Sequence, residues 1–139
     1  MDKLETIILG TTEEEIRKGA EIIRQGGLVA FPTETVYGLG ANGMDAAAAG
    51  KVYAAKGRPS DNPMILHIAD RKALGCLTDK VTADMETLMD AFWPGPMTMV
   101  VEALPQVPRV TTGGLDTVAV RMPDHPVALA LISESGVPI

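Results

Sequence analysis

Two cations stand where they could bind a negatively charged ligand together. Lys56 and Arg58 are separated by Gly57 and followed by Pro59, two residue types that end a helix, so both side chains can turn toward one ligand. Positioned cations stabilise the negative charge that spreads over phosphoryl oxygens when phosphorus is attacked. The same cations would also interact favourably with the dipole of a helix C-terminus. The spacing alone therefore leaves a phosphate site and a structural role open.

A third cation, Arg121, ends an apolar strand pattern over residues 117–121. Strand alternation places Thr117, Ala119 and Arg121 on one face of the predicted sheet. An unpaired arginine is costly to bury, and its guanidinium makes a two-pronged clamp for a carboxylate. Its partner could be an internal Asp or Glu, or the carboxylate of a bound amino acid for which the small Ala119 leaves room.

His67 lies in another strand pattern, residues 64–68, on the same face as Ile65. A single histidine within a strand is more typical of a hydrogen-bonded structural residue than of a ligand contact. The residues alone therefore do not assign His67 to a binding site.

Gly38, Gly40 and Gly43 have the GxGxxG spacing of dinucleotide-binding loops. That fingerprint needs the glycines directly between a strand and a helix. Here six residues separate the apolar strand from Gly38, and the next helix pattern begins only near Asp45. We therefore interpret these glycines as positions of unusual backbone angle or close approach. The two histidines and one cysteine have no zinc-like spacing, so we expect no protein-held metal site.

The elements that must position these residues alternate between strands and helices. Helix patterns begin at a capping box, Thr12 with Glu15, and near Asp45, Thr82 and Pro126. Short apolar segments predict the strands. The predicted strands cover residues 4–9, 28–31, 64–68, 97–101 and 117–122, and the later helices cover residues 45–56, 82–93 and 126–133. Because several connections are short, we predict an α/β fold with a twisted, mixed parallel and antiparallel sheet and flanking helices. The one long loop covers residues 105–114.

The bulk composition is that of a globular domain without membrane spans. The 139 residues are 46% hydrophobic and 22% charged, and one cysteine excludes an intramolecular disulfide. The N-terminus has no apolar segment of a signal peptide, so a cytoplasmic location is expected. A net charge of -6 disfavours nonspecific nucleic-acid binding.

Five ordered motifs together resemble the YrdC-like family of threonylcarbamoyladenylate synthases. They are residues 32–40, 56–59, 62–63 with His67, 93–98, and 117–123 with His125. The resemblance covers nearly the whole chain. It implies the YrdC-like fold and the synthesis of threonylcarbamoyladenylate and pyrophosphate from L-threonine, bicarbonate and ATP. The product would serve downstream tRNA-modification proteins that make threonylcarbamoyladenosine.

The resemblance also implies a role for each matching residue. Thr35, His67 and Arg121 would bind threonine, with Arg121 on its carboxylate. Lys56 and Arg58 would be the catalytic cations, and they would bind the ATP phosphates together with Asn62 and Thr117. Mg2+ would be held mainly through the phosphates, with no metal ligand from the protein.

The family pattern continues into a Ser-x-Asn segment after a strand equivalent to residues 136–139. The resemblance therefore implies that residues 1–139 are a YrdC-like catalytic domain that is incomplete at its C-terminus, and this piece alone could be inactive. Two other functions stay open: the carbamoyl-adenylating domain of a hydrogenase-maturation carbamoyltransferase, and a double-stranded RNA-binding module without synthase activity. The second of these functions would make RNA a possible partner.

Overall fold

The computed structural model describes residues 4–139 and contains two small sheets with helices packed around them. The helices are α1 (Glu13–Arg24), α2 (Ala46–Lys56), α3 (Ala83–Phe92), α4 (Arg109–Thr112) and α5 (Pro126–Ser135), and a 3-10 helix covers Arg71–Cys76. The strands are β1 (Val29–Phe31), β2 (Gly38–Gly40), β3 (Ile65–His67), β4 (Met99–Glu102) and β5 (Thr117–Arg121). Among the described residues, no helix is long and apolar enough to cross a membrane.

Strand pairing confirms the predicted mixed sheet. β5 lies in the centre of the larger sheet, parallel to β3 and antiparallel to β4, so that His67 is opposite Arg121. β1 and β2 form a separate antiparallel hairpin in which Phe31 is opposite Gly38. On the side of β3 that does not face β5, His67 forms two backbone hydrogen bonds with Ile139. His67 N–H donates to Ile139 O at 2.7 Å, and Ile139 N–H donates to His67 O at 3.0 Å.

One face of the larger sheet is buried in the main core, and the other face is more open. Leu66, Val118 and Val120 are at most 2% exposed, while Ile65 on the opposite face is 43% exposed. The predicted alternation of β3 and β5 is therefore confirmed. The buried face packs against residues of α3 and Trp93, a second apolar cluster joins α1, α5 and β1, and a third lies around α2.

Side-chain caps explain why α1, α2 and α3 begin where they do. The hydroxyls of Thr12 and Thr82 each accept a hydrogen bond from the backbone N–H three residues later, and the carboxylate of Asp45 accepts two. α2 ends at Gly57, which has φ of 61° in the left-handed region that glycine adopts readily. This turn redirects the chain immediately after Lys56.

The prediction of a strand at residues 4–9 is wrong, because this segment pairs with no strand within residues 4–139. Leu4 and Ile8 are 93% and 97% exposed, so these apolar side chains pack against no sheet. Strand β2 was not predicted, since two of its three residues are glycines. The predicted loop at residues 105–114 contains the short helix α4.

Candidate active site

A cavity of about 320 Å³ lies on the more open face of the larger sheet, next to the β1–β2 hairpin. Its lining includes five of the seven predicted site residues. They are Thr35, Lys56, Arg58, His67 and Arg121. The volume is within the range of small-molecule sites. The fold thus brings together side chains that come from four separate parts of the sequence.

Lys56 and Arg58 both line this cavity. Gly57 forms the left-handed turn between them, and Arg58 N–H donates to Tyr53 O at 3.0 Å. Arg58 Nη2 donates to Pro63 O at 3.0 Å, and Arg58 Nε is buried without a hydrogen-bond partner within residues 4–139. In that part of the chain, no carboxylate lies within ion-pair distance of either cation. Both charges are therefore available to a negatively charged ligand.

Arg121 is 8% exposed and is held by two protein acceptors. Its Nε donates to Gly95 O at 3.0 Å, and its Nη2 donates to Oε1 of Glu34. Gly95 belongs to the turn that follows Trp93, and its own N–H donates to Met122 O at 2.8 Å. Burial lowers the pKa of the Arg121 guanidinium, but arginine is not deprotonated in proteins, so Arg121 keeps its positive charge.

Glu34 is the internal partner that the sequence left undetermined for Arg121. Its other oxygen, Oε2, accepts the backbone N–H of Asp124, so both carboxylate oxygens are used. Glu34 was not among the predicted site residues, although it lies next to Thr35 within the motif of residues 32–40. Two signals in the sequence could have identified this pair: the acidic Glu34 within that motif, and the need of Arg121, in a strand, for a negatively charged partner.

His67 lies in the cavity wall with its ring edge-on to Phe31, at a centroid separation of 6.0 Å and an interplanar angle of 82°. Its Nδ1 is 3.2 Å from Ile65 O, which can only accept, so Nδ1 carries the proton and Nε2 is an acceptor in the neutral ring. Burial lowers the pKa of His67, which keeps the ring neutral at pH 7. His67 can thus accept a hydrogen bond from a ligand but does not supply a positive charge.

Thr35 lies in a tight turn organised by Thr33. The Thr33 hydroxyl donates to Val36 O at 2.6 Å and accepts the Thr35 N–H at 3.2 Å. Because that hydroxyl proton is already used, the Thr35 hydroxyl donates in the 3.1 Å contact between the two side chains. The remaining lone pairs of Thr35 are available to accept a hydrogen bond from a ligand.

Asn62 and Thr117 do not line the cavity. Asn62 is exposed, and its backbone carbonyl accepts the Tyr53 hydroxyl at 2.7 Å. Thr117 lies four residues before Arg121 on β5, which corresponds to roughly 13 Å along the strand on the same face. The ATP-binding roles implied for these two residues stay predictions.

Comparisons with known proteins found a matching family model, similar sequences and similar structures. The Sua5/YciO/YrdC family model, described as "Telomere recombination", matches residues 21–139. A threonylcarbamoyl-AMP synthase of Bacillus subtilis is 55% identical over 133 residues. The crystal structure of Pyrococcus abyssi Sua5 complexed with L-threonine superimposes with a TM-score of 0.93 at 53% identity, over 96% of this chain. The crystal structure of Escherichia coli YciO superimposes with a TM-score of 0.80 at 27% identity, over 91% of this chain.

The chain spans about two fifths of the length of the two more similar relatives. It covers 38% of the Bacillus subtilis synthase, although 94% of the chain is matched, and 40% of the Pyrococcus abyssi Sua5 chain. It covers 62% of the Escherichia coli YciO chain. The similarity therefore concerns the region that carries the cavity described above.

Proposed function

The chain belongs to the Sua5/YciO/YrdC family, and on this premise we propose that it carries the site of an L-threonylcarbamoyladenylate synthase. This nucleotidyltransferase would make threonylcarbamoyl-AMP and pyrophosphate from L-threonine, bicarbonate and ATP. The product would be consumed in the cytoplasm by tRNA-modification proteins. The observation that carries the proposal is what gathers around one cavity: two cations without a carboxylate partner in residues 4–139, an arginine that binds a carboxylate, and two hydrogen-bonding side chains.

The amino acid would bind at the end of the cavity formed by Arg121, His67 and Thr35. Arg121 retains N–H donors for the threonine carboxylate, and Nε2 of the neutral His67 can accept from the threonine hydroxyl or amine. Pyrococcus abyssi Sua5, which shares 53% identity with this chain, has been crystallised with L-threonine. That complex supports the choice of amino acid.

The phosphates of ATP would lie toward Lys56 and Arg58. The threonine amine takes up the carbon of bicarbonate with loss of water, and one oxygen of the resulting N-carboxylate attacks the α-phosphorus as pyrophosphate leaves. Negative charge builds up on the phosphoryl oxygens during this displacement, and the two cations stabilise it most strongly in the transition state. Asn62 and Thr117 would contact parts of the nucleotide that extend beyond the cavity.

Mg2+ would be held mainly by the ATP phosphates and would neutralise part of their charge. This assignment fits the donor set, because no group of three or more His, Cys, Asp or Glu side chains in residues 4–139 is placed to hold a metal ion. The protein would thus contribute the two cations, and the nucleotide would bring its own metal.

Pyrophosphate release from ATP, measured with and without L-threonine and bicarbonate, tests the proposal. We expect pyrophosphate release that depends on both L-threonine and bicarbonate. Full-length Pyrococcus abyssi Sua5 is the positive control. Lys56→Ala and Arg58→Ala should each abolish it, and near-normal rates in both variants would contradict their roles. Arg121→Ala should chiefly raise the threonine concentration that is required.

Release that depends on carbamoyl phosphate instead of threonine would favour the carbamoyl-transfer function. RNA binding that persists at moderate salt and without Lys56 and Arg58 would favour an RNA-binding module. Neither alternative has a specific observation in its favour, since the relatives at 54–55% identity are named threonylcarbamoyl-AMP synthases.

A further inference from the structure

The Glu34–Arg121 ion pair lies inside the candidate site and connects distant parts of the chain. The two side chains are 23% and 10% exposed, and the residues are 87 positions apart in sequence. Glu34 comes from the segment between β1 and β2, while Arg121 is the last residue of β5. With the bond from Asp124 N–H, the Glu34 carboxylate joins the β1–β2 segment to the segment that follows β5.

The way in which Arg121 is held leaves part of its guanidinium available. Arginine has five N–H donors arranged in a planar fork. Gly95 O and Glu34 occupy donors on Nε and Nη2, which form one edge of that fork. Within residues 4–139, Nη1 has no hydrogen-bond partner. Three donors thus remain, two on Nη1 and one on Nη2, and they suffice for a bidentate bond to a carboxylate along the other edge.

We propose that Glu34 is a positioning residue that fixes the Arg121 guanidinium so that its Nη1 edge faces the carboxylate of the amino-acid substrate. This inference rests on the proposed function. A long arginine side chain loses rotamer freedom when it binds a ligand, and a partner that has already ordered it reduces this loss. Gly95 O alone would fix only one donor, whereas a second, charged acceptor fixes the plane of the fork.

A competing role for Glu34 makes the opposite prediction. Its carboxylate could occupy the place of the substrate carboxylate and have to leave before the amino acid binds. Leaving would break the bonds from both Arg121 and Asp124 N–H, and both oxygens of Glu34 would have to find new partners. Removal of Glu34 should therefore weaken threonine binding if Glu34 positions Arg121, and strengthen it if Glu34 competes.

The test compares Glu34→Ala, Glu34→Gln and the unmodified protein. We expect Glu34→Ala to raise the Kd for L-threonine, measured by isothermal titration calorimetry, on the order of tenfold, the loss expected for one charge-assisted hydrogen bond. The Kd of Glu34→Gln should lie between those of Glu34→Ala and the unmodified protein, because its one amide oxygen can replace only one of the two carboxylate oxygens that accept from Arg121 and Asp124 N–H. The KM for threonine should rise in the same order, while the KM for ATP changes less than about twofold.

A matched control is Glu13→Gln, which removes the same charge from a surface pair with Arg17 where the Glu13 side chain is 80% exposed. It should leave threonine binding unchanged. If the alanine variant fails to fold, the isosteric glutamine variant still reports the sign of the effect.

Threonine affinity that is unchanged or higher in both Glu34 variants would overturn the positioning role, and a higher affinity would identify Glu34 as a competitor. Failure of the unmodified protein to bind threonine would overturn the proposed function and this inference with it. The two failures are therefore distinguishable.

Discussion

The Tyr53 hydroxyl supports the segment that carries Arg58, and Tyr53→Phe tests this support. Tyr53 is 5% exposed, and its hydroxyl lies 2.7 Å from Asn62 O and 3.0 Å from Val110 O. Burial raises the pKa of Tyr53, so the hydroxyl stays protonated and can donate to these carbonyls. Phenylalanine keeps the ring and removes only the hydrogen bond.

The number of hydrogen bonds lost gives the expected decrease in the free energy of unfolding of Tyr53→Phe. One hydroxyl proton is shared between two carbonyls, so the loss is that of one net hydrogen bond, about 0.5–1.5 kcal/mol. The lower part of the penalty for unsatisfied groups applies, because the contact between the Tyr53 hydroxyl and Asn62 O is only partly buried. We expect the free energy of unfolding to fall by about 1 kcal/mol. With an unfolding entropy of roughly 2.1 cal/mol/K per residue, this lowers Tm by about 3 °C in a chain of this length.

Urea unfolding followed by circular dichroism measures this difference, and Tyr37→Phe is the matched control. Tyr37 is 76% exposed, so its variant should stay within about 0.5 kcal/mol of the unmodified protein. A looser segment around Arg58 should also raise the KM for ATP more than the KM for threonine. If Tyr53→Phe and Tyr37→Phe unfold at the same urea concentration, the hydroxyl does not support this segment.

The other predictions concern backbone positions and the titration of the site. Gly43→Ala should destabilise the fold by about 1–3 kcal/mol in thermal unfolding, because a Cβ there would lie 2.0 Å from Leu66 Cδ2. Gly50→Ala should instead stabilise the fold by about 0.5–1 kcal/mol, because Gly50 lies within α2 and a Cβ there would meet open space. Asp45→Ala removes the α2 cap and should cost about 1 kcal/mol in urea unfolding. The folded state depresses the pKa of His67, so its contribution to stability is present above about pH 6.5 and is lost as the pH falls through the lowered value. Threonine affinity should decline over the same acidic range, and a titration in which it declines only above pH 7 would contradict a neutral His67 acceptor.

The helices were predictable from sequence because their signals are local. α1, α2 and α3 begin after capping residues and end close to glycines or at a proline-containing turn. The predicted starts of all three helices and the predicted ends of α2 and α3 lie within about two residues of the observed ones. The alternation in β3 and β5 was likewise readable, because burial of one sheet face imposes a period of two. Local chemistry was sufficient at these positions.

Strand β2 could not be predicted, because its glycines are required by a residue of another strand, Phe31. A Cβ at Gly40 would lie 2.7 Å from Phe31 Cε1, and one at Gly38 would lie 3.3 Å from Phe31 Cζ. The aromatic ring of β1 thus occupies the space that side chains on β2 would need. The partner of Arg121 was hidden for the same reason, since the sequence shows that an arginine needs an acceptor but not which one.

The site contains two kinds of cation, and the difference follows from burial. Arg121 is buried at the end of the central strand β5, so the protein must supply partners for its charge whether or not a ligand is present. Lys56, the last residue of α2, is exposed, and Arg58 is partly exposed, so neither side chain needs a carboxylate partner before a ligand arrives. A monovalent carboxylate needs only the spare edge of an arginine that is already held, whereas a triphosphate brings enough charge to compensate two cations that have no carboxylate partner within residues 4–139. The two kinds of cation therefore support the proposed binding of an amino acid at one end of the site and of a nucleotide at the other.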